Sequence, residues 1–135
     1  MASVLIVDDD DEIRLLLGSV LTEYGFDVFE GLDGMETVGL LETIQPDLLL
    51  LDILMPNMDG LELLREIANR EIDVPVIVFT GAADEEFSTR ALETGAAAFM
   101  TKPLEMQALM DTIKKVMPPL DHLGNYRISS KREMA

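Results

Sequence analysis

Two segments that are apolar without alternation constrain the fold of this chain more than any other feature. Residues 4–7 read VLIV and residues 48–51 read LLLL. A strand with one face in water alternates apolar and polar residues, whereas a strand covered on both faces is apolar throughout. These segments therefore predict strands in the interior of a parallel sheet, with helices packed on both of its faces.

Strand-like and helix-like segments alternate along the chain. The predicted strands cover residues 3–8, 27–30, 47–52, 75–80 and 97–100. The predicted helices, which repeat apolar residues every three or four positions, cover residues 11–24, 33–44, 59–70, 84–94 and 104–117. Strands that alternate with helices form parallel sheets through right-handed crossovers. We therefore predict an α/β fold, a doubly wound five-stranded parallel sheet with helices on both faces.

The predicted helices differ in how much apolar surface they offer. The first has a single stripe that we expect to face inward, formed by Ile13, Leu16, Leu17, Val20, Leu21 and Tyr24. Gly25 then supplies a stop signal, and Asp33 with Glu36 has the spacing of a capping box at the second helix. The fourth helix offers only Phe87, Ala91 and Leu92, so it is either a mobile element or a peripheral surface helix.

Composition narrows the possible functions. The 135 residues are enough for one domain with a buried core. A formal net charge of −16 would repel a nucleic-acid backbone, which argues against direct DNA or RNA binding. The absence of cysteine excludes disulfides and thiolate chemistry. There is no signal-peptide pattern and no apolar run near the roughly 20 residues that span a membrane, so we expect a cytoplasmic protein.

Carboxylates collect where the predicted strands end. Asp8, Asp9, Asp10 and Asp11 follow the first strand, and Asp52 ends the third. Ligands of open parallel sheets bind beyond the carboxyl ends of the strands, where these residues meet. Helix capping explains one or two acids after the first strand, and we assign it to Asp10 and Asp11. The remaining carboxylates repel one another and predict a cation site, for which hard oxygen ligands favour Mg²⁺.

Two further polar groups belong to the same edge of the predicted sheet. Thr80 ends the fourth strand and Lys102 follows the fifth. Lys102 supplies a positive point charge for an anionic group, and Thr80 supplies a hydroxyl donor. A divalent cation, an ammonium and a hydroxyl around a carboxylate are suited to phosphoryl transfer.

Together these motifs resemble the receiver domain of bacterial two-component response regulators. The resemblance rests on four stretches in the same order: VLIVDDDDEIR (4–14), LLLLDILMPNMDGLELL (48–64), VIVFTGAAD (76–84) and GAAAFMTKPLE (95–105). It covers about residues 3–117 and implies a flavodoxin-like, or CheY-like, order of strands.

The resemblance implies a role for each matched acidic residue. Asp52 corresponds to the phosphoacceptor, which takes a phosphoryl group from a sensor histidine kinase or a phosphotransfer protein. Asp8 and Asp9 correspond to the acidic pair that binds Mg²⁺ together with Asp52. The backbone carbonyl of Leu54 corresponds to a further Mg²⁺ ligand.

The resemblance also implies a switch. Thr80 corresponds to the hydroxyl that turns toward the phosphoryl group, and Phe99 corresponds to the aromatic residue that rotates inward behind it. Lys102 corresponds to the lysine that pairs with the phosphoacceptor, and its bond to Pro103 is usually cis in the family. The output face would be the fourth helix, fifth strand and fifth helix, in contact with a downstream protein that the sequence does not identify.

The predicted domain covers residues 1–117, and residues 118–135 form a C-terminal tail, a linker or a disordered segment. The protein would be a monomer or a phosphorylation-dependent dimer. We do not expect an enzyme beyond self-phosphorylation and slow self-dephosphorylation.

Two other functions are consistent with such a pocket. A Mg²⁺-dependent phosphohydrolase with an aspartyl intermediate typically has a second acid two residues after the nucleophile, where this chain has Leu54. A contact-only pseudo-receiver typically loses an acid, the threonine or the lysine, all of which are present here.

Overall fold

The computed structural model describes residues 2–55, 58–81 and 85–117. Five parallel strands form one sheet in the order β2-β1-β3-β6-β7: β1 (Ser3–Val7), β2 (Asp27–Gly31), β3 (Leu48–Asp52), β6 (Val76–Thr80) and β7 (Ala98–Thr101). Two further short strands, β4 (Leu54–Met55) and β5 (Met58–Asp59), pair with each other in antiparallel orientation. The strand order confirms the doubly wound parallel sheet, and the short pair was not predicted.

Five helices connect or follow these strands. They are α1 (Asp11–Glu23), α2 (Gly34–Ile44), α3 (Gly60–Asn69), α4 (Glu85–Glu93) and α5 (Met106–Val116). Each lies within one or two residues of a predicted helix. The predicted start of the fourth helix at Asp84 lies outside the described residues.

The three central strands explain why the apolar runs do not alternate. Every residue of β1, β3 and β6 is buried, because helices cover both faces of the sheet at these positions. The edge strands β2 and β7 are only partly covered. The interpretation of VLIV and LLLL as interior strands is therefore confirmed.

Helices pack on both faces of the sheet and give the domain two apolar layers. The layer on the side of α1 and α5 includes Leu17, Leu21, Leu109 and Ile113. The opposite layer includes residues of α2, α3 and α4, together with Phe99 of β7 at its margin. Because the two layers pack on opposite faces of the same sheet, they hold the carboxyl ends of its strands in place.

Local signals set the helix ends as predicted. The Asp33 side chain accepts a hydrogen bond from the Glu36 backbone N–H at 3.1 Å, and the Glu36 side chain accepts one from the Leu32 N–H at 2.6 Å. Gly25 follows α1 with φ at +94°, a left-handed conformation that glycine adopts without strain.

Some helix residues do not face the core as the apolar pattern indicated. Leu16 of α1 is 57% exposed, Tyr24 at the C-terminal cap of α1 is 59% exposed, and Leu92 of α4 is 48% exposed. The expectation that these three side chains pack inward was wrong. In α1 the buried sector includes Leu17, Leu21 and the charged residue Arg14.

Within the described residues, no helix combines the length and apolarity needed to cross a lipid bilayer. The predicted tail, residues 118–135, lies outside the described part of the chain.

Candidate active site

The order of the strands brings the polar residues at their carboxyl ends together. Asp8 directly follows β1, and Asp52 is the last residue of the neighbouring strand β3. Thr80 ends β6, where it is paired in register with Thr101 of β7. Lys102 follows Thr101, and its backbone N–H donates to the Thr80 carbonyl at 2.8 Å. Residues from four strands therefore share one edge of the sheet.

Three carboxylates form a close cluster at this edge. Asp8, Asp9 and Asp52 each place an oxygen within 4.8 Å of an oxygen of the other two. Asp8 and Asp52 are buried, with exposures of 0% and 4%, whereas Asp9 is exposed. Two unit charges about 4 Å apart repel by roughly 4 kcal/mol at an effective dielectric constant near 20. The cluster therefore requires positive charge.

Lys102 supplies one positive charge. Its Nζ donates to Asp8 Oδ2 at 2.9 Å and to Asp52 Oδ2 at 3.2 Å. Partial burial would lower the pKa of Lys102, but the hydrogen bond to Asp8, the charges of both carboxylates and the hydrogen bond to Asp52 together raise this pKa above its ordinary value. The side chain is thus held as an ammonium between two buried acids, 5.3 Å from the centre of the Phe79 ring.

The segment after β1 is fixed by its own hydrogen bonds. Asp8 Oδ1 accepts from the Asp10 backbone N–H at 2.9 Å. The Asp10 side chain accepts from the backbone N–H groups of Glu12 and Ile13, which makes Asp10 the N-cap of α1. Asp11 lies in the first turn of that helix. Capping therefore accounts for Asp10 as predicted, whereas Asp8 and Asp9 belong to the carboxylate cluster.

The remaining predicted site residues lie on β4, β6 and β7. Thr80 is completely buried at the end of β6. Leu54 begins the short strand β4, two residues after Asp52. Phe99 lies within β7, in register with Val78, and its partly buried ring packs against the core layer on the side of α2, α3 and α4. The Lys102–Pro103 peptide bond is cis.

Gly60 has a structural role that its motif did not reveal. A Cβ atom at this position would lie 2.7 Å from Cα and 2.8 Å from the carbonyl oxygen of Ile53, the residue after Asp52. Its backbone N–H also donates to that carbonyl at 3.2 Å. An Asp-Gly pair before a helical pattern is typical of a turn and a helix cap, and nothing in that pattern reports how closely Gly60 approaches the Ile53 backbone.

Comparisons with known proteins agree with this architecture. The family described as the response regulator receiver domain matches residues 4–114. Sporulation initiation phosphotransferase F of Bacillus subtilis (strain 168) is 32% identical over 115 residues, which cover 85% of this chain and 93% of that protein. A solved response regulator receiver domain protein (CheY-like) from Methanospirillum hungatei JF-1 superposes with a TM-score of 0.80 at 32% identity, covering 85% of this chain and 92% of that one.

Other relatives are longer. The alkaline phosphatase synthesis transcriptional regulatory protein PhoP of Bacillus subtilis (strain 168) is 36% identical, and the match covers 84% of this chain but 48% of that protein. The chain thus spans about half the length of this relative.

The fold is a flavodoxin-like α/β domain with a carboxylate cluster at the carboxyl edge of its sheet. The chain belongs to the response regulator receiver domain family.

Proposed function

We propose that this domain accepts a phosphoryl group on Asp52 from a phosphohistidine donor. The observation that supports this most directly is the position of Asp52, a buried carboxylate that is clustered with Asp8 and Asp9 and lies 3.2 Å from the Lys102 ammonium. A carboxylate can serve as the nucleophile, and the chain contains no cysteine that could do so instead.

The donor set fits Mg²⁺. Three carboxylates and one ammonium leave two net negative charges at the cluster, which a divalent cation would balance. Mg²⁺ prefers oxygen ligands, binds one or two carboxylates and keeps several waters. Asp8, Asp9 and Asp52, with the backbone carbonyl of Leu54, would hold the ion. When bound, the ion supplies positive charge for the oxygens of the incoming phosphoryl group.

The residues of the chain then have distinct tasks. An oxygen of Asp52 forms a bond to phosphorus while the bond from phosphorus to the donor imidazole breaks, and the imidazole nitrogen leaves with the electron pair. Lys102, already placed between the acids, donates to a phosphoryl oxygen. Thr80 donates its hydroxyl to another. Both groups are positioned by the sheet, since Thr80 is buried at the end of β6 and Lys102 already contacts Asp52. Such positioning matters because positioning and charge dominate phosphoryl transfer.

A phosphoryl group on Asp52 can also switch the domain between two conformations. Thr80 and Phe99 lie on neighbouring strands, and the packing of α4 against the sheet is light: among its described side chains only Ala91 is buried. Elements with few buried contacts shift at low cost in free energy. We propose that movement of Thr80 and Phe99 changes the surface formed by α4, β7 and α5, which a downstream protein reads.

We propose the following setting for this chemistry. The domain covers residues 1–117, and residues 118–135 lie beyond it as a tail. The phosphoryl donor is a sensor histidine kinase or a phosphotransfer protein of the cytoplasm, and the domain acts as a monomer or as a phosphorylation-dependent dimer.

The test is the intact mass of the protein after incubation with Mg²⁺ and acetyl phosphate. We expect one added phosphoryl group in the wild type and in Asp111→Asn, which removes an exposed carboxylate from α5, and none in Asp52→Asn. No adduct on a folded, Mg²⁺-binding wild type would favour a contact-only domain. Release of phosphate over many turnovers would favour a phosphohydrolase.

Amide hydrogen exchange tests the switch separately. With beryllofluoride, a phosphoryl mimic, we expect changed protection from α4 through β7. Unchanged protection there, with beryllofluoride bound, would contradict the switch while leaving phosphoacceptor chemistry in place.

A further inference from the structure

Arg14 is a buried cation that none of the roles described so far uses. It lies in the first half of α1 and is 8% exposed. Arginine is rarely buried unless it is paired, because its charge loses hydration. The hydrogen-bond and ion-pair partners of Arg14 therefore indicate its role.

The guanidinium contacts three residues. Nη1 donates to the backbone carbonyl of Asp8 at 2.6 Å, and Nη2 donates to the Asp11 carboxylate. Nε lies 3.5 Å from an oxygen of Glu30 on β2. The two acids are largely exposed, at 87% and 52%, so the buried partner of Arg14 is the Asp8 carbonyl.

That carbonyl belongs to the peptide group that joins Asp8 to Asp9. Because a peptide group is planar, a donor that holds its oxygen also fixes the orientation of the plane. The two residues on either side of this plane carry two of the three carboxylates of the cluster. A charge-assisted hydrogen bond is roughly twice as strong as a neutral one, which suits a segment of four adjacent aspartates that repel one another.

We propose that Arg14 is a positioning residue, which sets the spacing of the Asp8 and Asp9 carboxylates for divalent-cation binding by holding the peptide between them. This inference rests on the proposed Mg²⁺ site. Arg14 contacts none of the three carboxylates of that site, so it acts only through the backbone.

The effect of removing Arg14 on Mg²⁺ affinity has one sign if Arg14 positions the ligands and the opposite sign if only its charge matters. Loss of a positive charge close to a cation site tightens cation binding if charge alone matters, and the freed Asp11 and Glu30 charges add to that effect. If Arg14 positions the ligands, its loss weakens binding despite the more negative surroundings. Loss of groups that orient metal ligands typically weakens metal binding, and we expect about tenfold here.

The experiment is a calorimetric titration of metal-free protein with MgCl₂. Arg14→Met is compared with Arg14→Lys and with the matched control Arg70→Met. Arg70 also pairs with two acids, Glu42 and Glu66, but it lies beyond the end of α3 and contacts no residue of the cluster. We expect Arg14→Met to bind Mg²⁺ about tenfold more weakly, Arg14→Lys to lose less, and Arg70→Met to match the wild type.

A second readout separates positioning from damage to the fold. The rate of phosphoryl adduct formation from acetyl phosphate is measured against Mg²⁺ concentration, and urea unfolding is measured in EDTA. We expect Arg14→Met to need about tenfold more Mg²⁺ for half of its maximal rate, while that maximal rate is retained. If Arg14→Met does not fold, the same two measurements are made on Arg14→Lys and Glu30→Gln. Glu30→Gln removes the charge of an exposed partner of Arg14 and so weakens the hold on its guanidinium.

Each outcome has a distinct meaning. Equal or tighter Mg²⁺ binding by folded Arg14→Met, with a wild type that binds Mg²⁺ and takes a phosphoryl group, overturns the positioning role alone. A wild type that binds no Mg²⁺ and takes no phosphoryl group overturns the proposed function and the positioning role with it.

Discussion

The Nζ atom of Lys102 lies 2.9 Å from Oδ2 of Asp8, although 94 positions separate the two residues in the chain. Lys102 follows the edge strand β7, and two strands, β3 and β6, lie between β7 and β1 in the sheet. The ion pair therefore spans the carboxyl edge of the domain. It places an ammonium against the two buried carboxylates of the cluster, Asp8 and Asp52.

Replacing Lys102 with methionine should destabilise the metal-free protein. The change leaves Asp8 and Asp52 buried and facing each other without the ammonium. Loss of one partner of a buried ion pair costs about 3–5 kcal/mol, and we expect about 1–3 kcal/mol because the lysine side chain is 20% exposed. Urea unfolding in EDTA measures the loss, with Lys115→Met on the exposed side of α5 as the control.

Mg²⁺ should restore more stability to Lys102→Met than to the wild type. The variant has one more net negative charge at the cluster, so the ion binds more tightly and stabilises the folded state further. Melting temperatures with and without Mg²⁺ give the comparison. An equal or smaller rise in the variant would show that Mg²⁺ does not bind at these carboxylates.

The raised pKa of Lys102 predicts a loss of stability at alkaline pH. In the unfolded chain this group has its ordinary pKa of 10.5, and in the folded protein its pKa is higher. The stabilisation is complete below pH 10.5 and declines as the pH rises toward and through the folded-state pKa. The quantity to measure is the unfolding free energy of the wild type minus that of Lys102→Met in EDTA. This difference should be constant at neutral pH and fall above pH 10.5; a difference that grew with pH would contradict the prediction.

The sequence predicted the sheet and the acids at its edge for one physical reason. In β1 and β3, burial on both faces demands continuous apolar residues, and the charges come directly after them, so the strand end is visible in the sequence itself. Burial within α1 was harder to predict, because the apolar stripe is wider than the surface that the sheet can cover. Leu16 lies about 100° from Leu17 around the helix, and the covered sector extends toward Arg14 instead.

Contacts of a side chain or a glycine with particular backbone atoms could not be predicted. The hydrogen bond from Arg14 to the Asp8 carbonyl and the approach of Gly60 to Ile53 both depend on how the chain returns to the strand ends. An arginine in a helix and a glycine in a turn have many ordinary explanations. Only the packed structure shows which backbone atoms they meet.

Adjacent leucines in α1 should respond very differently to truncation. Leu17 is 1% exposed and packs in the core layer of α1 and α5, whereas Leu16 is 57% exposed. We expect Leu17→Ala to lower the unfolding free energy by about 2–4 kcal/mol, because it leaves a cavity. Leu16→Ala should change it by no more than about 0.5 kcal/mol, as is usual for surface positions. Urea unfolding of the pair measures both, and comparable losses would mean that Leu16 is buried in solution.

Substitution of Gly60 by alanine should disturb the site as well as the fold. The added Cβ would lie 2.6 Å from Cγ1 and 2.7 Å from Cα of Ile53, so the chain next to Asp52 must move. Overpacking of this kind costs about 1–3 kcal/mol. Because Asp52 belongs to the carboxylate cluster, Mg²⁺ binding should weaken in parallel.

Gly39 in α2 is the matched control for Gly60. A Cβ at Gly39 meets nothing within 4 Å, and the residue lies inside an α-helix, where alanine is favoured over glycine by about 0.5–1 kcal/mol. Gly39→Ala should therefore stabilise the protein and leave Mg²⁺ affinity unchanged. Urea unfolding in EDTA and calorimetric titration with MgCl₂ test both variants. If Gly60→Ala were as stable as the wild type and bound Mg²⁺ equally well, close contact between α3 and the Asp52–Ile53 backbone would not be required for the site.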